Sequence, residues 1–86
     1  MEKYDLTSQG GRLRFARNRL HLTQEQLAEK AGYTGAGSIR QFETGIRSFG
    51  RKPAGRMAAA LGVSAEWLLC LTDDMQSLAG VDFIDM

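Results

Sequence analysis

The side chains in this chain with the most to offer chemically are cations. Residues 10–56 hold ten basic groups, Arg12, Arg14, Arg17, Arg19, Lys30, Arg40, Arg47, Arg51, Lys52 and Arg56, against Glu25, Glu29 and Glu43, a net of +7. Residues 57–86 hold Glu66, Asp73, Asp74, Asp82 and Asp85 with no base, a net of −5. With −1 from residues 1–9 the whole chain comes to +1, so its near-neutrality is a cancellation. Cations this dense predict a polyanionic partner, because fixed positive charge releases the counterions condensed on a phosphate backbone. Little else is available for chemistry. A single His21 and a single Cys70 give no metal-ligand cluster and no internal disulfide. Gly35-Ala36-Gly37 lacks both a preceding apolar strand and the third glycine of a nucleotide-binding loop. The expectation is a non-enzymatic protein with no cofactor, no metal and no small-molecule ligand. The free thiol fits a reducing, cytoplasmic compartment. No apolar run approaches the ~20 residues of a membrane span, and Met-Glu-Lys-Tyr-Asp is too polar to open a signal peptide.

The elements that must hold these cations read as helices. At 86 residues with 43% hydrophobic and 24% charged composition, the chain makes one small globular domain, short enough to want a partner subunit. Ser8 or Thr7 can cap a first helix in which Leu13, Ala16 and Leu20 share a face and Arg12, Arg14 and Arg19 spread over the remaining surface. Thr23-Gln24-Glu25-Gln26 reads as a capping box for a second helix with Leu27, Ala28 and Ala31 inward and Gly32 as its stop. A third helix runs over roughly 37–44, with Ile39 and Phe42 inward and Ser38, Arg40 and Gln41 turned away, and Gly45 ends it. Residues 46–52 form a basic loop, in which Phe49 suits either a core plug or a subunit contact, and Pro53 suits the first position of a fourth helix. That helix turns Met57, Ala58, Ala60 and Leu61 inward and stops at Gly62. Ser64 caps a fifth, in which Trp67, Leu68 and Leu71 supply bulk, and Cys70 is expected buried or half-buried. Residues 81–86 read equally as a short strand or a frayed end. The fold class is all-α, five helices, with residues 1–7 as an arm, 8–72 as the domain and 73–86 as an acidic tail or the start of a linker.

Two short helices joined by a glycine-bearing turn are the parts of a helix-turn-helix. The run Arg17, Leu22-Thr23-Gln24-Glu25-Gln26-Leu27-Ala28-Glu29-Lys30-Ala31-Gly32, Ile39-Arg40-Gln41-Phe42-Glu43-Thr44-Gly45 and Ala60-Leu61-Gly62-Val63-Ser64-Ala65-Glu66-Trp67-Leu68-Leu69 resembles the lambda-repressor-like, Cro- and XRE-type DNA-binding domains. The resemblance implies double-stranded DNA as partner, with helices two and three as the helix-turn-helix. It implies phosphate contacts from Gln24, Arg47, Arg51 and Lys52, and base contacts from Gln41, where a Gln can pair with adenine, with Arg40, Ser38 and Thr34 beside it. It further implies an internal ion pair between Arg17 and Glu43, and a homodimer formed around Trp67 and Leu71. His21 stands where relatives often have Gly at a helix end. Between Gly32 and Ile39 this chain has six residues where the family typically has five, which lengthens either the turn or the start of the third helix. The leading expectation is a phage- or prophage-type repressor binding a palindromic operator as a dimer. Alternatives are the antitoxin of a toxin–antitoxin pair and a protein-interaction module that has lost DNA binding. Larger phage repressors carry a self-cleaving domain after this one, and Ala79-Gly80 sits about where such a linker begins.

Overall fold

The computed structural model describes residues 3–76, which form α1 (Gln9–Arg19), α2 (Gln24–Ala31), α3 (Gly37–Thr44), α4 (Arg51–Leu61) and α5 (Ala65–Leu68), with no strand among them. Residues 81–86 and Ala79-Gly80 lie outside the described residues. Three helices start on a side-chain cap. Ser8 Oγ accepts from the Gly11 amide, Ser64 Oγ accepts from the Trp67 amide, and Thr23 and Gln26 form the reciprocal box. Each such cap is worth about 1 kcal/mol. Helices α3 and α4 start on Ala36 and Gly50, which offer no side-chain acceptor. Just ahead of α1, the Asp5 carboxylate accepts from the hydroxyl and amide of Thr7, and the hydroxyl contact foremost holds its pKa below the ordinary aspartate value.

The core gathers one stripe from every helix: Leu13 and Ala16, Leu27 and Ala28, Ile39 and Phe42, Met57 and Leu61, Trp67 and Leu68. Helix α3 packs on both α1 and α2, and α4 bridges α2 to α5. The crossing of α1 over α3 is so close that a Cβ on Gly10 would stand 2.5 Å from the Phe42 carbonyl oxygen. A glycine inside a helix costs about 1 kcal/mol relative to Ala, and here it admits the neighbouring backbone. Phe49 is buried as a core plug, edge-on to Phe42 with centroids 5.1 Å apart. Its amide and carbonyl are both held at 3.0 Å by the side chain of Gln9.

Several expectations are corrected. Helix α4 begins at Arg51, so Arg51 and Lys52 belong to its first turn and not to the loop, and Pro53 is its third residue. The first four amides of a helix have no partner within it, so proline is tolerated anywhere in that turn. Helix α5 closes at Leu68, leaving Leu71 outside it and 60% exposed. Cys70 is exposed, in a left-handed turn with φ 63°. His21 takes the same conformation, φ 59°, where a glycine would fit without strain, and its amide donates to the Asn18 carbonyl at the end of α1.

The largest correction concerns Arg12, expected on the surface and found 7% exposed. Its Nε donates to the Leu6 carbonyl at 2.6 Å, and Nη1 donates to the carbonyls of Trp67 at 2.8 Å and Thr72 at 2.7 Å. Nη2 lies 3.2 Å from Asp73 Oδ1, and the guanidinium carbon is 5.2 Å from the Trp67 ring centre. One side chain thus ties the segment before α1 to the segment after α5. The chain does not leave the domain at residue 72: the Ser64 amide donates to the Met75 carbonyl at 2.8 Å, and Gln76 Nε2 reaches the Gly62 carbonyl at 3.3 Å. The segment before α1 is anchored as well, with Tyr4 edge-on to Phe15 and its hydroxyl accepting from Asn18 at 3.0 Å.

Candidate nucleic-acid interface

Helix α3 divides by its sequence period. Ile39 and Phe42 enter the core, which leaves Arg40 and Gln41 exposed and Ser38 half-exposed. Of the six residues between Gly32 and Ile39, four lie in the connection and Gly37 and Ser38 open the helix, because α2 ends at Ala31 and α3 does not begin until Gly37. Thr34 therefore belongs to the turn and not to the helix. It lines an open depression of about 380 Å³ together with Glu25, Glu29 and Tyr33, and those carboxylates make its surroundings unfavourable to a phosphate backbone. Gly35 and Gly37 have no neighbour within 4 Å of a would-be Cβ, so the start of α3 is open on its outer side.

A polar junction fixes α3 against the two preceding helices. Arg17 Nε and Nη2 donate to the two Glu43 oxygens at 2.6 and 2.9 Å, a fork-to-fork pair. Both side chains are largely shielded, at 11% and 4% exposure, which keeps water from competing for the pair. The third donor, Arg17 Nη1, reaches the Leu22 carbonyl at 2.7 Å, just before the α2 cap. Gln24 Nε2 adds a bond of 3.1 Å to Glu43 Oε1. One carboxylate near the end of α3 thereby gathers the middle of α1, the start of α2 and α3 itself. Gln24, expected at a phosphate, instead has its amide nitrogen on Glu43.

The remaining predicted residues fall into two groups. Arg40, Arg51 and Lys52 are exposed and bond no other side chain among the described residues. Arg47, expected to reach phosphate, folds back over α3. Its Nη1 lies 3.1 Å from Gln41 Oε1 and 3.5 Å from Ser38 Oγ, and its guanidinium carbon stands 4.7 Å from the Phe42 ring centre. Trp67, expected in a subunit contact, is only 4% exposed and packs edge-on to Phe15, so it is a core residue. Leu71, expected beside it, stays exposed.

Two residues have roles that no local sequence pattern signals. Ile46, directly after α3, is 76% exposed, more than any other large apolar side chain among the described residues. A lone isoleucine in a run of polar residues gave no periodic signal. Arg56 donates to the Ala31 and Gly32 carbonyls at 3.1 and 3.4 Å and stacks on Tyr33, so it caps the end of α2. Its position, 25 residues beyond Ala31, hides that pairing from any local pattern. Among the described residues no group of His, Cys, Asp or Glu could hold a metal ion, and no helix is long and apolar enough to cross a membrane.

Compared with known proteins, residues 13–68 match a family model described as helix-turn-helix. That span runs from the first core leucine of α1 to the last residue of α5. No curated protein matches the chain.

Proposed function

The chain belongs to the XRE-type helix-turn-helix family of DNA-binding regulators, and from that premise we propose that it is a repressor that occupies a palindromic operator as a homodimer. The observation carrying this reading is the two-sidedness of α3. Its apolar residues and Glu43 are locked into the domain, which leaves Ser38, Arg40 and Gln41 presented outward on a rigid support. Side chains of these types read base edges in the major groove, and Ile46 beside them offers an apolar contact for a thymine methyl group. Arg51 and Lys52, at the start of α4, supply phosphate contacts that set register without reading sequence.

The need for two copies follows from length. An eight-residue helix is about 12 Å long, and at 3.4 Å per base pair it spans only three or four base pairs. A site that short recurs throughout any genome, so useful discrimination requires a second α3, about 34 Å away on the same face of the duplex. The exposed Leu71 is the apolar residue proposed for the subunit contact. Repression would then be occlusion of a promoter, with no covalent chemistry.

Titration of duplex binding with salt tests this directly. Affinity should fall steeply and linearly on a log–log plot, with a slope near −0.9 for each phosphate neutralised. Absence of binding to any duplex at low salt would sink the reading.

A further inference from the structure

The backward fold of Arg47 has a chemical consequence for what α3 can read. Arginine carries five N–H donors and no acceptor, so a side-chain amide that bonds its guanidinium must do so through its oxygen. Gln41 meets Arg47 Nη1 at 3.1 Å, which fixes the amide with Oε1 on the guanidinium and Nε2, with both hydrogens, on the other side. Ser38 Oγ, 3.5 Å from the same nitrogen, is likewise turned to accept from it, and its own hydrogen points elsewhere. Arg47 is itself held in place, with its guanidinium over the Phe42 ring at 4.7 Å and its amide on the Gln41 carbonyl at 3.2 Å.

We propose that Arg47 is a positioning residue that holds the Gln41 amide with its NH2 group outward, and so directs Gln41 to guanine. A free glutamine pairs with adenine by accepting from N6 and donating to N7. With Oε1 occupied, Gln41 presents the NH2 group, which two adjacent acceptors satisfy. Guanine N7 and O6 form that pair in the major groove, whereas adenine and cytosine each present a donor there. Arg40, the other charged group on this helix face, is also a pure donor, so together with the outward NH2 of Gln41 it favours acceptors over N6 or N4.

This inference rests on the DNA-binding reading, and one experiment distinguishes their failures. The full chain, wild type and Arg47→Met, is used to select duplexes from a random pool. Affinities for the selected site are then compared with guanine or adenine at the base pair whose preference Gln41→Ala abolishes. Methionine keeps an apolar stem over Phe42 and removes every donor, and thermal melting checks that the variant is folded. Wild type should favour guanine by about tenfold or more, and Arg47→Met should bring the ratio to within about threefold or reverse it. In the Gln41→Ala background, Arg47→Met should leave that base preference unchanged. If wild type selects adenine there, or if Arg47→Met weakens all duplexes by one factor with the ratio intact, Arg47 is a phosphate contact only and the inference is overturned. If wild type binds duplex but enriches no base there, the inference alone is overturned; if it binds no duplex at low salt, DNA binding itself fails and this inference falls with it.

Discussion

Arg12 and Arg40 are both arginines of the basic stretch, yet the two sites use the same side chain in opposite ways. Around Arg12 four of the five N–H donors end on the protein, at three backbone carbonyls and one carboxylate, and the guanidinium lies over the face of Trp67. Around Arg40 none does among the described residues, although the residue sits on a helix fixed by the shielded Arg17–Glu43 pair. The charge of residues 10–56 is therefore a sum of two populations. Arg12, Arg17 and Arg56 hold the fold together by satisfying carbonyls and a shielded carboxylate, while Arg40, Arg51 and Lys52 remain available to a partner. Arg47 stands between them, exposed yet engaged with α3.

The comparison can be broken at its strong end first. Arg12→Met strands the carbonyls of Leu6, Trp67 and Thr72 and should cost about 3–5 kcal/mol, close to a small domain's whole stability. Urea unfolding would register that, and a loss under 1 kcal/mol would return Arg12 to the surface population. Next, Glu43→Gln leaves Arg17 with a weaker acceptor in a shielded site and should cost about 1–3 kcal/mol in the same assay, without changing the helix content of the folded protein. A midpoint equal to wild type would mean that the junction carries no stability. At the outward end, Arg40→Ala should leave the unfolding midpoint within about 0.5 kcal/mol of wild type and reduce operator affinity about tenfold, with the loss depending on the base sequence. The smallest effect is expected from Arg51→Gln and Lys52→Gln. Each should weaken every duplex by a few-fold and reduce the salt slope by about one. A sequence-dependent loss from either would move it from backbone grip to readout.

The division between legible and illegible residues follows the range of the interaction. The Thr23 capping box, the Ser8 and Ser64 caps and the glycine stops at 32, 45 and 62 are set by residues within a few positions of one another, and all stand as read from the sequence. The Arg17–Glu43 pair spans 26 residues and was reached only through its place in a familiar motif. Arg12 had no such guide. Its partners lie six, 55, 60 and 61 residues away, three of them featureless backbone carbonyls, so nothing beside it in the sequence marks it as buried. Register errors had a different origin. Proline and glycine rules identify a first turn but not the position within it, which displaced Pro53, and Leu71 was misplaced because a helix of one turn carries too few residues to show a period.

The grip of Gln9 on Phe49 also governs the thermodynamics of binding. The loop between α3 and α4 is pinned on the α3 side by Arg47 over Phe42 and ahead of α4 by Gln9 at the start of α1. Conformational freedom lost on association commonly takes back much of what a charged interface gains. Here the segment leading into Arg51 and Lys52 is already held in the folded domain, so if these two side chains meet phosphates as proposed, little of the free energy gained there would go to ordering the loop.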